Sequence, residues 1–268
     1  MGAEKITKIV PIILAGGKGS RLWPISRKSF PKQFLNLFNE EYTLLQETYK
    51  RIENIGDLTN PLIICNEEHR FIVGHQMKAI NIRPLSILLE PEGRNTTPAI
   101  TIAALKALEI YKDTIFDPIL LILSSDHQID NVIKFHTAIQ KGLEVAKRDN
   151  LAIFGIRPES PSTDYGYIKA QCELSYEDVN ESKVDHFIEK PNKKTVKLLL
   201  KDKKYSWNSG MFIFKASSIL NEIKKFAPDT LRNCERSLSK SINDLDFLII
   251  EKISFINCDN LPIDITVF

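Results

Sequence analysis

The sequence is poor in the groups that most often carry covalent or redox chemistry. Four cysteines occur in 268 residues, Cys65, Cys172, Cys234 and Cys258, and no two take the close spacing of a zinc or redox motif. They read as isolated buried thiols of a reducing compartment. No Gly-x-Ser-x-Gly string supplies a nucleophile elbow. Nothing approaches the roughly 20 apolar residues of a membrane span. The opening MGAEKITKIVPIILAGG is broken by Pro11 and too short for a secretory signal, and Gly2 lacks the Ser or Thr of a myristoylation site. The expectation is a cytoplasmic protein with no membrane partner.

Charge of one sign is also scarce. The 36 Lys and Arg residues nearly balance 34 Asp and Glu, leaving a net charge of +2. That excludes a molecule-wide field for nucleic acid or an anionic membrane, so a cationic site must be local. There is no internal repeat, low-complexity tract or Gly/Ser linker, so two lobes of one folded unit are expected.

What is present is an alternation of short apolar runs with longer amphipathic ones. Strands are expected at 9–15, 62–65, 87–89, 119–123 and 151–156, and helices at 43–52, 68–80, 99–111 and 132–147. Strands apolar on both faces, interleaved with helices, form a mostly parallel sheet covered on two sides. Ligands bind at the carboxyl ends of such strands. Three loops follow strand ends here: GGKGS at 16–20, EPEGRN at 90–95 and SSDH at 124–127. That coincidence favours a nucleotide site.

Beyond Pro158 the pattern is less regular. Strands are expected at 166–174 and 183–190, a basic helix at 193–204, a strand at 207–216, and helices near 217–226 and 229–237. The run at 246–252 reads as the end of a further helix, and 253–258 and 263–268 as two closing strands.

The glycine stretch Gly16-Gly17-Lys18-Gly19-Ser20 is not a P-loop, which needs four residues between its first Gly and a Gly-Lys-Ser/Thr ending. It also lacks the third glycine of a dinucleotide fingerprint. Bare glycine still lets phosphate oxygens approach backbone N–H groups. Lys18, Arg21, Arg27, Lys28 and Lys32 follow at once. The plainer alternative is a structural turn beside a solvated basic face.

The string LAGGKGSRLWPISRKSFPKQF resembles the signature of the sugar-1-phosphate nucleotidyltransferases. Its Trp-Pro and Pro-Lys-Gln-Phe look like the mannose-1-phosphate guanylyltransferase (GDP-mannose pyrophosphorylase) branch of that family. EPEGRNTTPAI at 90–100, SSDHQI at 124–129, FGIRPESPSTDYGYIKA at 154–170, FIEKP at 187–191 and WNSGMFIFKA at 207–216 match in the expected order. The likeness covers essentially the whole chain. It implies a Rossmann-like, GT-A-like mixed sheet with helices on both faces and a smaller α+β sugar-binding lobe. The lobes would be 1–158 for nucleotide and 159–268 for sugar phosphate, without the β-helix or isomerase domain that often follows in the family.

The implied reaction joins mannose 1-phosphate to the α-phosphorus of GTP, with Mg2+ as cofactor. A phosphomonoester is already largely ionised at pH 7, its second pKa being about 6. Catalysis is therefore positioning plus fixed positive charge. By the resemblance, Leu14, Ala15, Gly16 and Gly17 line the nucleotide, with Ser125 beside them. Arg21 and Lys32 hold the triphosphate and are the catalytic pair. Glu90 and Asn95 lie near guanine or ribose, although a helix cap explains the same local sequence. Asp126 would bind the metal, while its neighbour His127 reads as structural. Gly166, Glu189, Lys190 and Asn208 would meet the sugar phosphate, against the alternative of a strand ending in an exposed charged turn.

One block departs from the pattern. A second metal-binding aspartate is expected in a Trp-x-Asp-Val-Gly-Ser-Trp-like string, and here only Asp264 of LPIDITVF can align. Two further readings stay open: transfer to another hexose 1-phosphate or from another base, and a weakly active regulatory relative. Assembly into a homodimer stays open as well.

Overall fold

The computed structural model describes residues 8–17, 22–175 and 177–268. Its first half alternates β1 (Ile9–Leu14), α1 (Leu44–Lys50), β2 (Leu62–Asn66), α2 (Arg70–Ala79), β3 (Ser86–Glu90), α3 (Thr96–Ile110), β4 (Ile119–Ser124), α4 (Val132–Lys147) and β5 (Ala152–Ile156). The second half adds β6 (Tyr167–Ala170), β7 (Val184–Ile188), α5 (Lys193–Leu199), β8 (Tyr205–Lys215), α6 (Ala216–Phe226) and α7 (Pro228–Ser239). The hairpin β9 (Ile242–Asp244) and β10 (Phe247–Ile249) follows, then the short helices α8 (Lys252–Phe255) and α9 (Ile263–Thr266).

Strand periodicity explains the layers. Val10 and Ile12 of β1, Leu62 and Ile64 of β2, and Leu120 and Ile122 of β4 point into a core shared with α3, α6 and α7. Ile9 and Ile13 of β1, Ile63 and Cys65 of β2, and Ile119 and Leu121 of β4 point to the opposite core, with α1, α2 and α4. Buried on both faces, these strands carry no polar stripe. Helix α3 packs between sheet and helices, and its buried Ala99, Ala103, Ala104 and Ala107 permit the close approach. Capping fixes where helices begin: the Thr43 hydroxyl accepts from Gln46 N while Gln46 Oε1 accepts from Thr43 N, a reciprocal pair at the start of α1.

The sheet runs β7-β6-β8-β4-β1-β2-β3-β10-β9, with β5 paired to β8 off this path. Strands β4, β1, β2, β3 and β10 are mutually parallel. The chain lays β2 and β3 to one side of β1 and returns to place β4 on the other. The crevice between the ends of β1 and β4 is thus a topological switch point. Strand β8 carries the sheet onward, pairing β4 through Phe212–Lys215 and β6 through Tyr205–Trp207, both antiparallel. Among the described residues no helix is long and apolar enough to cross a membrane.

The carboxyl-terminal stretch differs from the sequence expectation in three places. Residues 246–252 are not a helix end: Phe247–Ile249 form β10, parallel to β3 in the register Leu248↔Leu88. The expected strand 253–258 is instead helix α8, because both Glu251 carboxylate oxygens accept main-chain N–H groups, from Ile253 and Ser254. The expected strand 263–268 is the single turn α9, docked by Ile263 N on Thr96 Oγ1 at 2.8 Å and by the Thr97–Thr266 hydroxyl pair at 2.9 Å.

Candidate active site at the strand ends

The loop after β1 is held from two sides. Ser125, one residue past β4, donates its N–H (3.2 Å) and its hydroxyl (2.8 Å) to the Leu14 carbonyl, tying the two strand ends together. Ala15 N donates to Ile64 O. From the other side the buried Gln33 amide donates to Ala15 O at 3.0 Å and Gly17 O at 2.8 Å. Ala15 is buried while Gly16 and Gly17 stay exposed. Gln33 is a positioning residue that sequence reasoning does not single out, although it lies inside the Pro-Lys-Gln-Phe match.

Glu90 ends β3 and is buried. Its carboxylate crosses to the glycine loop: a Cβ on Gly16 would lie 3.1 Å from Glu90 Oε2. Oε1 is buried without a hydrogen-bond partner. Burial pushes the Glu90 pKa up to about 8. A buried polar atom left unpaired is costly and calls for an explanation, a donor supplied by a ligand being one. Asn95 adopts φ 65° and its side chain accepts from Thr96 N, so in this structure it caps α3.

Beyond β4, Asp126 gathers polar partners. Lys32 Nζ lies 2.6 Å from Asp126 Oδ2, Ser124 Oγ donates to Oδ1 at 2.6 Å, and His127 Nε2 is 3.7 Å from Oδ1. Burial alone would raise the Asp126 pKa, but Lys32, Ser124 and His127 outweigh it and hold the carboxyl below its ordinary range. Burial lowers the pKa of His127. The structure therefore brings Lys32 and Asp126 together as an ion pair. Lys28 turns away to an exposed pairing with Glu68 at 3.4 Å. Arg21 and Lys18 lie outside the described residues.

The residues around β6, β7 and β8 assemble the others read from sequence. Gly166 O accepts from Asn208 N at 2.8 Å. A Cβ at Gly166 would run into the tip of the Phe187 ring and come within 3.0 Å of Glu189 Oε2, so a larger residue there requires that ring to move. Glu189 pairs with Lys190 at 2.6 Å. Asn208 donates to Asp264 Oδ1 at 2.7 Å. Burial raises the Asp264 pKa, partly offset by the Asn208 hydrogen bond; Glu189 raises it further and Lys190 lowers it. Asp264 thus stands beside Asn208, and α9 presents it from a turn rather than from the expected strand.

Known proteins share this arrangement of elements. Two curated relatives are the mannose-1-phosphate guanylyltransferase of Klebsiella pneumoniae, 42% identical over 97% of this chain and 54% of its own length, and ManC of Salmonella typhimurium, also 42% identical with the same coverage. The chain spans about half the length of these relatives. A crystal structure from Helicobacter pylori, titled mannose-6-phosphate isomerase, superposes with TM-score 0.79 at 30% identity over 97% of this chain and 92% of that one. A model of the family described as nucleotidyl transferase matches residues 10–252. With its loops, switch-point crevice and nearly its whole length accounted for in this way, the chain belongs to the nucleotidyl transferase family.

Proposed function

We propose that the chain transfers a guanylyl group from GTP to mannose 1-phosphate, giving GDP-mannose and pyrophosphate. The observation that carries this reading is the unpartnered Glu90 carboxylate set against Gly16 at the end of β3. An ionised carboxylate accepts both the ring N–H and the exocyclic amine of guanine, two donors that adenine and uracil do not offer side by side. The names of the curated relatives support the same substrates.

The chemistry needs no protein nucleophile. A phosphate oxygen of mannose 1-phosphate attacks the α-phosphorus, the bond to the bridging oxygen of the β-phosphate breaks, and pyrophosphate leaves with the electron pair. The obstacle is repulsion between polyanions, so the residues must fix positive charge and alignment. Lys32, and Arg21 by the resemblance, would hold the triphosphate. Glu189 and Asn208 would accept and donate to sugar hydroxyls, with Gly166 admitting the ring close to main chain. Lys190 would meet the sugar phosphate.

Magnesium fits the donor chemistry. Asp126 offers a hard oxygen ligand kept ionised by its neighbours, and Asp264 offers a second, beside Asn208. Among the described residues no three His, Cys, Asp or Glu side chains form a metal cage. That matches an ion held by one or two carboxylates and completed by substrate phosphates. When bound, it would neutralise charge on the phosphates.

The direct test follows pyrophosphate release from each nucleoside triphosphate with mannose and glucose 1-phosphates, with and without magnesium. Turnover confined to GTP with mannose 1-phosphate supports the assignment, and preference for UTP or dTTP overturns it. Two substitutions refine the picture. Gln33→Leu removes both clamps on the glycine loop and should raise KM for GTP about tenfold, the worth of one or two hydrogen bonds; an unchanged KM removes Gln33 from the site. Asp264→Ala should raise KM for mannose 1-phosphate and the magnesium needed for half-maximal rate, each about tenfold. Initial rates across a magnesium series would read both, and flat values would mean that α9 supplies no ligand.

A further inference from the structure

Cys234 in α7 and Cys258 beyond α8 stand 24 residues apart, yet their Sγ atoms are 3.6 Å apart. Both are buried, and neither has a part in the chemistry proposed above. Cys234 Sγ lies 3.8 Å from the Pro98 carbonyl oxygen and Cys258 Sγ 3.9 Å from that of Thr230. The pair therefore joins α7, the loop after α8 and the first turn of α3. That same turn of α3 receives the segment leading to Asp264, through Thr97 N to Leu261 O at 3.2 Å and Ile263 N to Thr96 Oγ1 at 2.8 Å.

We propose that Cys234 and Cys258 are a peroxide-responsive dithiol, and that its disulfide pins residue 258 to α7 and so restrains residues 259–264, the segment that leads to Asp264. Sulfurs in contact need close only to about 2.05 Å to bond. Cys258 is 3 % exposed where Cys234 is fully enclosed, and the contact with Cys234, with Arg94, lowers its pKa against the opposing effects of burial and Asp259, so Cys258 is assigned as the attacking thiolate. Hydrogen peroxide is small enough to reach it on local opening. The Cys258 thiolate attacks one peroxide oxygen, the O–O bond breaks, and hydroxide leaves to become water. The Cys234 sulfur then attacks the resulting sulfenic sulfur, the S–O bond breaks, and a second water departs. Two electrons and two protons pass from the thiols to the peroxide, which ends as two waters.

The test treats the full chain with hydrogen peroxide, alkylates the remaining thiols and maps peptides without reductant. The expected result is a Cys234–Cys258 cross-link, lighter by two hydrogens than the two thiol peptides, with buried Cys65 still alkylated. Amides in 259–264 should exchange several-fold more slowly in the oxidised protein, and dithiothreitol should restore the original rate. Cys172→Ser should keep the effect and Cys234→Ala should lose it. If exposed Cys172 is oxidised while Cys234 and Cys258 both remain alkylatable, the proposal is wrong. A cross-link that leaves exchange at 259–264 unchanged overturns the coupling to Asp264. Both readouts come from the unaltered chain and do not depend on how the variants fold.

Discussion

Glu90→Gln should leave the protein more stable at pH 8 than the parent while lowering kcat/KM for GTP about a hundredfold. The functional loss follows from geometry. Glutamine keeps one acceptor but turns an NH2 toward a guanine donor, so two charge-assisted hydrogen bonds are replaced by one neutral one, a net loss of about 3 kcal/mol. Discrimination against ATP and UTP should weaken with it. The stability gain follows from burial. The Glu90 pKa stands near 8 in the folded chain against an ordinary 4.5. The folded state therefore keeps a proton that the unfolded state gives up. That contribution is complete below pH 4.5 and is lost as pH rises through 8. Removing it should flatten the Tm profile across this window, worth roughly 4 kcal/mol at its upper end. The same proton should appear in binding: if guanine takes an ionised Glu90, GTP binding near pH 7 releases it, and calorimetry in buffers of different ionisation enthalpy would count it. Equal Tm profiles for parent and variant, with unchanged kcat/KM, would remove Glu90 from base recognition.

Asp126→Asn should lower kcat by two to four orders of magnitude, about 3–5 kcal/mol of transition-state stabilisation. The substitution preserves shape and removes one negative charge. Lys32 loses its 2.6 Å partner, and the proposed magnesium loses its ionised ligand. The ion pair is partly exposed on both sides, so its loss should cost stability only about 1 kcal/mol. A folded variant whose Tm falls by only about 2–4 °C while kcat collapses is the expected outcome. Near-normal turnover would show that Asp126 serves only to hold Lys32. Because the charge change acts on the reacting phosphates, KM for GTP should move less than kcat.

The parallel half of the fold is legible in the sequence because its strands are apolar on both faces and its helices are long; the helix expected at 132–147 is α4 over the same residues. The carboxyl-terminal segments are not legible, for identifiable reasons. Phe247–Ile249 is a short apolar run, and such runs do not reveal whether they will be helix or strand. The free edge of β3 decides it, and that edge is a tertiary fact. In 253–258 the apolar pattern suggests a strand, but the Glu251 cap acts locally and wins. At the site, Lys32, Asp126, Gly166, Glu189 and Asn208 can be named from their motifs. Their partnerships cannot. Glu90 meets Gly16 across two strands, Gln33 reaches back to Ala15 and Gly17, and Asp264 arrives beside Asn208 from the far end of the chain. The cysteines, read singly as isolated thiols, include a pair in contact only because α7 and the loop after α8 pack together.

The central claim is that one crevice, at the ends of β1, β3 and β4, seats a guanine nucleotide with its phosphates at Lys32 and Asp126. A crystal structure of the chain with GTP and magnesium tests it most directly. The account predicts guanine N–H groups on Glu90 beside Gly16, the triphosphate on Lys32, and the metal on Asp126. A nucleotide bound elsewhere, or one whose base leaves the Glu90 carboxylate unpaired, would contradict it.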